Sequence, residues 1–133
     1  MARIVPALYS RNFNAQLQLP PLAEGEVYIG VVGDKNGDFH HVILLPGDNG
    51  YAPWDEQLAW AKTIGGDLPN RIEQAMLWAN HRDQFEQDWY WSSESYHRND
   101  AYAWCQYFSY GNQGCHHKDD NYCRARAVRR LPI

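Results

Sequence analysis

From Trp89 to Leu131 the chain falls into short runs that alternate like strands. That period of two constrains the fold more than any other feature. The runs are Trp89-Tyr90-Trp91, Tyr102 to Phe108 and Tyr122 to Leu131, and Ser109-Tyr110-Gly111-Asn112 reads as a turn between the last two. Successive side chains of a strand point to opposite faces, so each run offers one face to a core and one to solvent or a partner. Six of the nine Tyr lie here with Trp89, Trp91 and Trp104, mixed with Ser, Asn, Gly, Gln and His. The mixture suits a binding surface carried on a sheet better than a plain core.

Upstream the signals change. Val27 to Val32 is β-rich, Asp34-Lys35-Asn36-Gly37 is a turn, and Phe39 to Leu45 returns. The pattern predicts a hairpin over 26–45, with a primed turn because Asn36 and Gly37 both tolerate positive φ. Neighbouring His40 and His41 then face opposite sides and do not share a metal: one sits at the core edge, one on the surface. Pro53 suits the first position of a helix, Asp55 and Glu56 its first turn, and Trp54, Leu58 and Ala61 form one stripe; Gly65-Gly66 ends it. Asn70 and Glu73 have capping-box spacing for a second helix, whose expected apolar stripe is Ile72, Ala75, Met76 and Ala79. Hairpin, two helices, then strands: this order predicts an α+β fold with helices on one side of a mostly antiparallel sheet. Residues 1–25, punctuated by Pro6, Pro20 and Pro21, read as an extended N-terminal arm, and 26–133 as the domain.

A chain of 133 residues buries enough to fold as one domain without metal or disulfide. Its net charge of −4 is uneven: 12 acidic and 6 basic residues lie in 1–88, 4 and 6 in 89–133. Neither part is basic enough for general nucleic-acid affinity. No stretch approaches the roughly 20 apolar residues of a membrane span. The start, Met1-Ala2-Arg3-Ile4-Val5-Pro6, lacks the apolar run of an export signal, which predicts a cytoplasmic protein, with virion association open. Cys105, Cys115 and Cys123 are then expected as reduced thiols, a Cys115–Cys123 disulfide being the open alternative.

Four motifs, in order across residues 51–131, carry a resemblance. Gly65-Gly66-Asp67-Leu68-Pro69-Asn70-Arg71-Ile72-Glu73 resembles a G-x-x-L-P-T-x-x-E segment, and Tyr90-Trp91-Ser92-Ser93 a Y-W-S-S element. Ala103-Trp104 with Phe108 and Gly111 resembles A-W-x-x-x-F-x-x-G, and Arg126-Ala127-Val128-Arg129 a closing R-x-V-R. These belong to a prophage and bacterial domain family of unknown function that includes the C-terminal domain of a collagen-like adhesin. The resemblance implies a C-type-lectin-like fold, as in the formylglycine-generating sulfatase modifiers and the variable proteins of diversity-generating retroelements. It implies a twisted antiparallel sheet, two helices and a loop-rich C-terminal half, but no single function. Asn70 departs from the commoner Thr, and Asn caps a helix equally well.

Three chemistries compete for the C-terminal half. A nucleophilic Cys needs a base, which His116 or His117 beside Cys115 could supply, but no motif here matches the reactive pair of the sulfatase modifiers, so no catalytic residue is assigned. Cys115-His116-His117 with Asp119, Asp120 and Cys123 is rich in ligands but lacks the paired spacing of zinc sites, and Asp119-Asp120-Asn121 offers too few oxygens for calcium. It reads as a solvated loop, with no metal and no cofactor expected. Binding is favoured. Tyr96, His97, Tyr107, Tyr110, Asn112, Gln113, His116, His117 and Tyr122 are the expected surface residues, and Trp91, Trp104, Phe108 and Val128 the core. Glu73 and Asp67 are expected to pair with Arg126 and Arg129 as a structural ion-pair set, an anion site being the alternative.

The combined expectation is a non-enzymatic, prophage-type binding module that recognises a protein or glycan through loops 93–100 and 109–122, with homo-oligomerisation open. The alternatives are a structural or tail-associated phage component assembled through residues 1–25, a phage factor antagonising host defence, and a sulfatase-modifier-like enzyme.

Overall fold

A computed structural model describes residues 18–133, so most of the arm expected over 1–25 lies outside the described residues. The elements run β1 (Val27–Gly33), β2 (Phe39–Leu44), α1 (Trp54–Thr63), α2 (Arg71–His81), β3 (Trp89–Ser95), β4 (Tyr102–Tyr107), β5 (Gln113–His117) and β6 (Val128–Pro132). The class is α+β. The strands form two antiparallel three-stranded sheets, β1-β2-β6 and β3-β4-β5, and not the one twisted sheet expected.

The reason lies in residues 122–127, which alternation assigns to one strand with Leu131. They form instead a connector that passes from the second sheet to the first. Trp91 N–H donates to Arg124 O at 3.0 Å, Arg124 N–H to Trp89 O at 2.9 Å, and Leu45 N–H to Ala127 O at 2.9 Å. Cys123, Ala125 and Ala127 are fully buried. Their small side chains let backbone thread the centre of the molecule, and the chain becomes a ladder strand only at Val128, opposite Leu44. β5 is a further departure from the sequence pattern. Gln113-Gly114-Cys115-His116-His117 lacks the β-branched and aromatic residues of a typical strand, so its pairing with β4 decides its conformation.

Local signals fared better. The hairpin forms, but its turn is not primed: only Gly37 has positive φ (85°). Gly37 N–H donates to Asp34 O, and Asp34 Oδ1 accepts from Asn36 and Asp38 N–H, so the Asp side chain fixes the turn and Asn36 stays in ordinary backbone space. His41 is buried on Tyr28 Oη at 2.7 Å, and His40 reaches Glu73 at 3.1 Å, so neither is a free surface histidine. α1 starts at Trp54, one residue after Pro53, and Trp54 N–H is capped by Lys118 O at 2.9 Å. Gly65 (φ 83°) ends it, with Gly66 N–H on Ala61 O. In α2 both halves of the capping box form: Asn70 accepts from Glu73 N–H, and Glu73 from Asn70 N–H.

The buried face of α2 is a correction. Glu73, Gln74 and Leu77 are buried, whereas Ile72 is 59% exposed and Ala75 and Ala79 face solvent. Reading by polarity misplaces this face because Glu73 and Gln74 have distant partners; Gln74 Nε2 donates to Tyr90 O at 3.1 Å. Gln57 of α1 is buried likewise, accepting from Asn49 Nδ2 at 2.7 Å and donating to Gly50 O at 2.5 Å.

Two cores flank β3. Trp91 packs with Leu45, Ala61, Leu68, Cys105 and the connector, and Trp54 and Leu58 close that cluster. Tyr90, one residue earlier and facing the other way, packs with Val42, Leu44, Leu77 and Phe108. The loop between α1 and α2 passes close to the first sheet at Gly66, where an added Cβ would lie 2.6 Å from Val128 O and 2.7 Å from a Leu45 methyl. Gly66→Ala is therefore expected to destabilise by about 1–3 kcal/mol. An unchanged urea midpoint would show that the backbone relaxes around the methyl at little cost.

Candidate functional site

The register of the second sheet sorts its side chains. Trp89 is opposite Tyr107, Trp91 opposite Cys105 and Cys105 opposite Gly114, with His116 opposite Ala103, so these share one face. Tyr102, Trp104, Gln106, Gln113, Cys115 and His117 share the other. The nine expected binding residues are therefore divided between two faces.

The first face ends in an aromatic shelf. Trp89 and Tyr107 stack with centroids 4.6 Å apart and planes at 11°. Tyr110 meets Tyr107 edge-on at 5.7 Å, His116 meets Trp89 edge-on at 4.8 Å, and Tyr122 lies 6.0 Å from His116. The outer rings stand in solvent: Tyr110 is 82% exposed and Tyr122 66%. Gly111 (φ 88°) makes the tight turn behind Tyr110, and a Cβ there would fall 2.3 Å from the Trp78 ring. The glycine of the third motif is thus explained by backbone conformation and close approach.

On the second face Trp104 is half-buried rather than core. The Arg71 guanidinium lies 3.5 Å above its ring, Tyr96 meets it edge-on at 4.9 Å, and His97 lies parallel at 5.9 Å. Arg71 is the first residue of α2, and its Nε donates to Gln113 Oε1 at 2.9 Å. Gln113 also donates to Arg71 O and to Gln106 Oε1, so it braces helix against sheet and is not free for a ligand. Beside it runs an open groove of about 500 Å³ with Ile72, Ala75 and Trp78 on one wall and Gln106 and Gln113 on the other. Asn112 is exposed, and its backbone carbonyl accepts from Tyr107 N–H. His117 packs edge-on to Tyr102 at 5.3 Å.

The arginines are reassigned. Glu73 and Asp67 engage Arg130, not Arg126 or Arg129. Arg130 Nε and Nη2 each donate to Glu73 at 2.7 Å, and Nη1 donates to Asp67 at 3.0 Å. Arg129, on the other face of β6, clasps Glu26 at 2.8 and 2.9 Å, holding that carboxyl well below its usual range. Arg126 is buried on two carbonyls, Leu45 O at 2.8 Å and Gln84 O at 2.5 Å. Arg124 donates to Asp48 at 3.0 Å. Arg126 lies in the connector and Arg129 on the opposite face of β6, which leaves Arg130 to meet α2. Among the described residues each of these four guanidiniums is engaged by carboxylate or carbonyl, an arrangement that suits a structural role. A second network has no counterpart in the sequence pattern: Tyr90 Oη donates to Asp48, and Tyr51 Oη to Asp88. Burial, then the bond to Asp48, pushes the Tyr90 phenol up.

The cysteines also regroup. Cys115 lies on the face opposite Cys105, and the two sulfurs that meet are those of Cys105 and Cys123, 3.3 Å apart with free thiols. Burial, reinforced by Cys123, drives the Cys105 thiol far above its ordinary range, so it is a poor nucleophile at neutral pH. Burial also lowers His116.

No protein family, no curated protein and no solved structure matches the chain. Among the described residues no helix is long and apolar enough to cross a membrane.

Proposed function

We propose that the chain is a non-enzymatic, prophage-type binding module with a C-type-lectin-like fold. It recognises a protein or glycan through the shelf of Tyr107, Tyr110, His116 and Tyr122 around Trp89. The observation that carries this reading is the exposure of Tyr110 and Tyr122 at the rim of a stacked Trp89–Tyr107 pair. Aromatic rings held by their neighbours have little entropy left to lose, and they offer flat apolar area to a sugar face or a partner side chain. Asn112, Asp119 and Asn121 are exposed nearby in sequence and supply polar groups for orientation. The inert setting of Cys105 favours binding over thiol chemistry.

The test is a screen of the wild-type chain and the Tyr110→Ala/Tyr122→Ala variant against a glycan array and a displayed protein library. Losing both exposed aromatic contacts is expected to weaken binding by about 100-fold or more. Both rings stand in solvent, so the melting temperature is expected to stay within a few degrees. Equal binding by the variant would remove the shelf from the function.

A further inference from the structure

Beneath the shelf, three ligand-type side chains converge from separate stretches of chain. Cys105 comes from β4, His116 from β5 and Cys123 from the connector. One donor atom of each lies within 4.8 Å of the others, and the sulfurs are 3.3 Å apart. We propose that Cys105, His116 and Cys123 form a zinc site, completed by a fourth ligand from solvent. This goes beyond the binding reading and does not depend on it.

The donor set suits zinc, which takes thiolate and imidazole in a tetrahedral shell. Zn–S bonds of about 2.3 Å and Zn–N bonds of about 2.0–2.1 Å in a tetrahedral shell place the sulfurs roughly 3.8 Å apart, about half an ångström wider than here, and each sulfur roughly 3.5 Å from the imidazole nitrogen. The positions are set by backbone rather than by loose side chains. Cys105 is opposite Gly114 and His116 opposite Ala103 in the β4–β5 ladder, so Cys105 and His116 are diagonal neighbours with no side chain at Gly114 between them. Cys123 O accepts from Ala52 N–H at 3.4 Å, and both cysteines are fully buried. Trp89 and Trp91 hold the His116 ring edge-on from two sides. A disulfide would need only the two sulfurs; the imidazole beside them is what points to an ion. Zinc binding would release the two thiol protons to solvent, so affinity should rise with pH. The ion would tie β4, β5 and the connector together and fix His116 and Tyr122 in the shelf.

The experiment is a titration of the reduced 133-residue chain with Co²⁺, followed by Zn²⁺. Thiolate-to-cobalt charge-transfer bands saturating at one ion per chain, and bleached by Zn²⁺, are expected. His116→Ala is expected to weaken binding by at least tenfold, and Cys115→Ser to leave it unchanged. Cys105→Ser is expected to lose the bands; should it fail to fold, the wild-type titration and the contrast between H116A and C115S still decide. Absence of cobalt bands in the folded, reduced wild type would overturn the proposal. So would an equal effect of C115S and H116A, or an intact mass showing a Cys105–Cys123 disulfide in protein that binds no zinc after reduction.

Discussion

Arg130→Met is expected to lower stability by about 3–5 kcal/mol at neutral pH, because it strands a buried carboxylate. Glu73 is fully buried, and Arg130 supplies two of its bonds. Burial alone would raise the Glu73 pKa; Arg130, the Asn70 N–H and His40 outweigh it and bring the pKa below the ordinary 4.5. In the wild type this stabilisation is complete above the unfolded-state pKa and is lost as pH falls through the lower folded value. In the variant the sign reverses. With burial opposed only by Asn70 and His40, the folded pKa rises, so protonating Glu73 relieves the strain, and that relief is lost as pH climbs. The gap between wild type and variant should therefore be widest near pH 7 and narrow toward pH 4 in urea unfolding. Adding Glu73→Gln should recover part of the loss at pH 7. A gap that does not change with pH would mean that the Arg130→Met substitution costs stability by packing rather than by charge.

Trp91→Ala is expected to cost about 3–5 kcal/mol, as large aromatic truncations in cores do. Trp91 is fully buried where β3, α1 and the connector meet, and its Nε1–H donates to Ala52 O at 2.9 Å. Trp91→Phe keeps most of the ring area but leaves that carbonyl unpaired, so a smaller loss is expected, of roughly 1–3 kcal/mol. Thermal unfolding of the three proteins checks the order. Equal losses in both variants would place the energy in the hydrogen bond and not in the packing.

What the sequence made legible was local. The hairpin, the Gly65 stop and the Asn70–Glu73 box depend on residues within a few positions of each other, and each formed. What it hid depends on partners far along the chain. Gln74 is buried because Tyr90 O accepts its amide, and Glu73 because Arg130 arrives 57 positions later. β5 exists because β4 is beside it. Alternation gave two faces to each strand but not their register. Tyr107 and Tyr110 could not be separated from Tyr96 and His97 until Trp89 was placed opposite Tyr107 and Trp104 opposite Cys115. Cys105 has no evident partner in the sequence, and only the connector's path carries Cys123 to it. A signal was present in Ala125 and Ala127, small residues in a run otherwise rich in arginine, where backbone must pass through the centre.

The most direct measurement of the binding proposal is hydroxyl-radical footprinting of the chain with and without a ligand found by screening. Tyr107, Tyr110 and Tyr122 should lose labelling on binding, while Ile72, 59% exposed in the groove on the opposite face, keeps its own. Protection of Ile72 and Trp78 with Tyr110 and Tyr122 still labelled would contradict the shelf and move the site to the groove beside α2.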